Sequence, residues 1–92
     1  MSLEKNLETE TGKKFKSILI EQLKVAGLKE SDIKTNSTWG DLGADYIHLA
    51  VIADKVEEMY GIEVIDEEAY KILTVGEAID YINSKMMPNK SQ

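Results

Sequence analysis

The chain has no cysteine in its 92 residues. That excludes disulfides, thiolate metal sites and thiol catalysis, and is consistent with a reducing compartment. Arginine is absent as well: all 11 positive residues are lysines, so no planar guanidinium fork is available for bidentate capture of carboxylate or phosphate. No apolar run follows Met1, and the expectation is a cytoplasmic chain without signal peptide or membrane span. There is no internal repeat and no phosphate-binding glycine loop. An excess of positive charge is lacking too. A formal net charge of −6 argues against nucleic acid, whose phosphates need a basic face, and favours basic protein partners.

What is present suits one small helical domain. Hydrophobic residues make up 42% of the chain, and a chain of this length buries about 60–65% of its unfolded surface. Residues 1–10 are polar and loosely patterned. Leu3 and Leu7 would extend a helix, but Gly12 interrupts, and a flexible N-terminal segment is expected. The first firm helix is predicted from about Thr11 to Ala26. Phe15, Ile18, Leu19, Gln22, Leu23 and Ala26 share one face, apolar at all but Gln22. Gly27 then closes it, with Leu28 packing on Leu23. A long polar connection follows from Lys29 to Ala44, with Ile33, Trp39 and Leu42 as the pegs that tie it to a core.

The central stretch, Trp39 to Tyr60, reads as a tight loop entering one long helix. Asp45 is the expected N-cap and Gly61 the left-handed C-terminal stop. At 100° per residue, Leu49, Ile52, Ala53, Val56 and Tyr60 form the core side. Ile62 to Ile65 is expected to be a single extended crossing, because no second strand candidate exists to pair with it. Asp66 is then expected to cap a short helix to about Leu73, with Ala69, Ile72 and Leu73 inward. Thr74-x-x-Glu77 reads as a capping box opening the last helix, whose stripe is Val75, Ala78, Ile79 and Ile82. The domain is expected to span residues 11–85, with 86–92 a flexible tail. The predicted fold is all-α: three main helices and one short one, with a long first loop.

Four motifs in order carry a family resemblance: D-L-G-A-D at 41–45, V-E-E-M-Y-G-I-E-V at 56–64, D-E-E-A at 66–69 and T-V-G-E-A-I-D-Y-I at 74–82. The chain resembles acyl carrier proteins from about Lys14 to Ser84. The resemblance implies a phosphopantetheine carrier module of fatty acid, polyketide or related thioester biosynthesis, monomeric, not an enzyme, docking its acidic helix on basic faces of biosynthetic enzymes and of a phosphopantetheinyl transferase. In that family 4′-phosphopantetheine is attached to a serine at the start of the second helix, within D-S-L. Here the triplet is Asp45-Tyr46-Ile47. Tyr46 therefore stands at the attachment position beside Asp45, and its phenol, on a rigid ring, differs in reach and acidity from a serine hydroxyl. The expectation is that the chain stays unmodified. The bland reading of Tyr46 is an amphipathic surface aromatic.

Ile47, Val51, Asp54 and Glu58 share a second side of the central helix: two aliphatics with two acids, the pattern of a docking strip. In the family this side faces the enzymes, and an acid usually stands where this chain has Val51. Scattered exposed apolars are the plain alternative. His48, the sole histidine, has neither triad nor second ligand and reads as a surface residue. Ser37 lies in the loop outside the motif. The acidic run Asp66-Glu67-Glu68 lacks calcium-loop spacing and reads as a charged first turn, with no metal expected. Two functions stay open: the carrier, and an arm-free interaction module that binds a partner through its central helix.

Overall fold

In the computed structural model residues 7–24 and 27–86 are described. Ala26, most of the N-terminal segment and most of the tail expected to be flexible lie outside them. Helix α1 (Glu10–Gln22) opens where the Thr9 hydroxyl accepts the Gly12 amide at 3.0 Å. Gly12, read from the sequence as an interruption, is instead a buried residue of the first turn that donates the capping bond. The helix also stops earlier than its apolar spacing suggests. Leu23 is fully buried but leaves helical geometry at φ −107° and ψ 14°. The chain then turns through Gly27, and the Leu28 amide reaches the Leu23 carbonyl at 3.4 Å.

The connection to the next helix is built of small turns. A 3₁₀ turn, Glu30–Asp32, is followed by Ser37, whose buried Oγ accepts the Lys34 amide at 2.9 Å and donates to the Asp32 carbonyl at 3.1 Å. Thr38 and Asp41 exchange side-chain-to-amide bonds at 3.1 and 3.2 Å. Ile33 and Leu42 are buried pegs, as expected, and Trp39 is partly buried against the core. The Trp39 indole meets Phe15 edge-on, centroids 6.4 Å apart, and its N–H donates to the Ile72 carbonyl at 3.0 Å.

Helix α2 (Tyr46–Tyr60) ends at Gly61, whose φ of 66° lets the chain turn without a Cβ penalty. Among the described residues, 62–65 cross outside helix and strand, with Ile65 extended. Helix α3 (Asp66–Ala69) is shorter than expected, and Asp66 is its first residue rather than its cap; Ile65 holds the cap position without a side-chain bond. The Lys71 and Ile72 amides bond three residues back, to Glu68 and Ala69. That tighter winding turns about 120° per residue. Ile72 therefore stays on Ala69's side, while Leu73, expected inward, rotates away and is 61% exposed.

Helix α4 (Val75–Met86) carries the predicted stripe, Val75, Ala78, Ile79 and Ile82, all buried. Its capping box is offset by one residue. Thr74 Oγ1 accepts the Glu77 amide at 3.2 Å, but the Glu77 carboxylate takes the Leu73 amide, at 2.8 Å. The first-turn amides of Val75 and Gly76 donate to the loop carbonyls of Ser37 and Thr35, at 3.0 and 2.8 Å, and Thr74 bridges to Thr38. The long loop thus supplies the acceptors that a free helix end would lack.

Among the described residues the architecture is all-α, and α1, α2 and α4 pack on one another. Thr11 joins all three: its carbonyl accepts the Tyr60 hydroxyl at 2.9 Å, and its own hydroxyl donates to Asn83 at 2.8 Å. Burial pushes the Tyr60 phenol up to about 12, so it remains a donor. Trp39→Phe keeps an aromatic ring but strands the Ile72 carbonyl. Urea denaturation should show a loss of about 2 kcal/mol with an unchanged m value.

Candidate functional site

The site begins with how α2 starts. Leu42 is buried, and the Ala44 amide closes a turn onto the Trp39 carbonyl at 3.0 Å. Gly43 supplies the positive φ of 74° that this turn requires. Asp45 follows in extended geometry, and its carboxylate accepts the His48 amide at 3.1 Å, the expected N-cap. His48 completes a reciprocal box: its Nδ1 accepts the Asp45 amide at 3.2 Å. The same Nδ1 lies 3.0 Å from Asp45 Oδ1. His48 is thus a capping residue, and among the described residues there is no acidic, histidine or cysteine cluster able to hold a metal.

Tyr46 is the first helical residue and 75% exposed. It borders a cleft of about 280 Å³ between α2 and α3, with Leu49, Ala50, Ala53, Val64, Asp66, Ala69 and Tyr70. Leu49, Ala53, Val64 and Ala69 also line a second apolar space of about 100 Å³ among Phe15, Trp39, Ile52, Val56 and Ile82. Periodicity placed Leu49 and Ala53 on the core side but showed neither space. Ala50 and Ala53 were its only trace, small side chains on the flank of α2 that meets α3.

The core side of α2 is as projected: Ile52 and Val56 are buried, and Leu49, Ala53 and Tyr60 are partly so. Ile47, Val51, Asp54 and Glu58 are all exposed, Ile47 at 69% and Val51 at 39%. Ser37 is a buried loop brace. The acidic run at 66–68 forms the first turn of α3, with Glu68 bonded to the Tyr81 hydroxyl at 2.6 Å and to Lys85 at 3.2 Å.

Two carboxylates around the α2 entrance are held below their ordinary range. The Asp41 carboxylate is stabilised first by the Thr38 amide, and that of Asp45 by the His48 amide. Both bind protons less readily folded than unfolded. Their contribution is therefore present above the unfolded carboxylate range and is lost as pH falls through the folded values. Thermal melts between about pH 5 and 3 should show this fall, and Asp41→Asn with Asp45→Asn should flatten it.

The family model described as PP-binding, phosphopantetheine attachment site, matches residues 13–82. That span runs from the first turns of α1 to the last buried residue of α4 and encloses the α2 entrance, the cleft and the exposed acidic side. The family carries 4′-phosphopantetheine, and its carrier domains interact with enzymes. With the match extending over most of the helical bundle, the chain belongs to the phosphopantetheine attachment site family.

Proposed function

We propose that this chain is an acyl-carrier-type module of fatty acid, polyketide or related thioester biosynthesis, cytoplasmic and non-catalytic, and unmodified as long as Tyr46 occupies the attachment position. The observation that carries this reading is the place of residue 46: first in a capped helix, open to solvent, beside a cleft between α2 and α3. The backbone suits the family's cofactor, since a phosphate attached there lies near a helix N-terminus. The side chain does not. A phenol on a rigid ring projects further than a serine hydroxyl and is a different nucleophile.

Exposure of Ile47 and Val51 between Asp54 and Glu58 supports docking of α2 on basic faces of partner enzymes, the aliphatics as anchors and the acids as rim. The same strip favours the second reading, an arm-free module that binds its partner through α2. Val51 sits where the family usually has an acid, which favours a different choice of partner.

Intact mass after incubation with coenzyme A and a broad phosphopantetheinyl transferase separates these readings. The parent chain should stay unmodified. Tyr46→Ser should gain the arm at the introduced serine, located by peptide fragmentation, and then accept an acyl thioester. Modification of the parent at Tyr46 would overturn the chemical argument, and failure of a well-folded serine variant with several transferases would favour the arm-free module. In a partner complex, Ile47→Ala or Val51→Glu should weaken binding while leaving the melting temperature nearly unchanged, because exposed anchors contribute to association more than to folding.

A further inference from the structure

Charge is divided unevenly along the chain. Residues 41–80 hold eleven acids against two lysines, whereas residues 13–34 hold six lysines against three acids. The lysines are also ordered in space. At 100° per residue, Lys13, Lys16 and Ile20 share a sector of α1 about 60° wide that contains no acid. The buried Phe15, Ile18 and Leu19 lie on the other side of the helix. Lys24 follows on the sector's side one turn later, just past the helix end. Lys13 and Lys24 are exposed, while Lys16 and Ile20 are half-buried. On α2, Val51, Asp54 and Glu58 line a surface groove with Lys55 and Glu57, and the exposed Ile47 continues this strip towards the helix start. Among the described residues Lys13, Lys24, Asp54 and Glu58 carry no ion pair.

The two strips match in spacing and charge. With Ile20 of one copy set on Val51 of another and the helices antiparallel, Lys13 comes opposite Glu58. Each stands seven residues, about 10.5 Å, from its aliphatic centre. Lys16 comes near Asp54, although it keeps its own Glu30 at 3.2 Å and contributes less. Lys24 comes beside Ile47, where its stem covers the aliphatic and its ammonium reaches Asp45. The parallel arrangement fails, because it sets Lys24 against Lys55 and Lys13 against Ala44. We infer that copies of this chain associate head to tail, the outer side of α1 in one copy docking on the α2 strip of the next. Such an interface uses a different surface of each copy, so it goes on adding copies unless a ring closes. One helix pair buries less area than a stable interface needs, so the association is weak. The monomer implied by the family resemblance is then the state at low concentration. Association also covers the strip read above as the docking side for enzymes, so copies and enzymes compete for it.

Sedimentation equilibrium of the full chain, with no enzyme present, tests this. The weight-average mass should rise above 10.3 kDa with protein concentration at low salt. It should fall back as salt shortens the screening length from about 30 Å at about 0.01 M to about 8 Å at about 0.15 M. Lys13→Glu and Glu58→Lys should each weaken association about fivefold, since each loses one exposed pair and gains a like-charge contact. Both changes in one chain, or the two variants mixed, should restore it. Lys14→Glu makes the same charge change outside the sector and should weaken association less than about twofold. Lys24→Glu should weaken it as Lys13→Glu does, and serves if the latter disturbs α1. A chain that stays monomeric at low salt, an equal loss in Lys14→Glu and Lys13→Glu, or a charge-swapped chain no better than the single variants would each overturn the proposal. Neither an arm nor an enzyme enters the experiment, so its failure leaves the docking reading standing, and loss of an enzyme complex leaves self-association standing.

Discussion

The contact on which most of this structure depends is the Trp39 indole. One side chain links three parts of the chain: its own loop, α1 through the Phe15 ring, and the residues before α4 through the Ile72 carbonyl. An aromatic of this size supplies apolar area to the bundle and a single directional donor at the same time. With the loop held there, the Thr35 and Ser37 carbonyls come within reach of the first amides of α4, and the turn closed by Ala44 delivers Asp45 to the start of α2. Two helices therefore take their starting points from one anchored loop, which explains how so long a connection is retained in a small domain.

Helix α2 serves two environments. Ile52 and Val56 bind it to the core, while Ile47, Val51, Asp54 and Glu58 stay at the surface with no structural task that would need them apolar or acidic. Its first turn is secured independently of either side by the Asp45–His48 box, in which histidine takes the place usually held by Glu or Gln. Position 46 can consequently vary without removing the cap. The exposed Tyr46 side chain is accommodated there because the cap does not use it.

Burial is uneven along the chain. Thr11 draws α1, α2 and α4 together through Tyr60 and Asn83, and the buried hydrophobic side chains among the described residues belong to those helices, to Leu23 and to the pegs of the loop. Residues 62–73 join this frame through the partly buried Ile62, Val64 and Ile72 and through side-chain hydrogen bonds from Trp39, Glu57 and Tyr81.

The three long helices, their apolar stripes, the Asp45 cap, the Gly61 stop and the loop pegs were legible in the amino-acid order. Each follows from a local rule: a 3.6-residue period, a short acceptor before a helix, a glycine where φ must be positive. The exposure of Ile47, Val51, Asp54 and Glu58 was legible for the same reason, since it is set by the phase of one helix. The early end of α1 at Leu23, the tight winding that turns Leu73 outward, the offset of the Glu77 bond and the retention of Gly12 inside α1 were not. Nor were Thr11 as a hub, the bonds of the Tyr81 hydroxyl to Ile65 and Glu68, or the cleft beside α3. Those features join residues as far apart as 11 and 83 or 39 and 72. Which donor meets which acceptor across such separations is decided only when the helices pack, because packing alone sets the distances on which a hydrogen bond or a cavity depends.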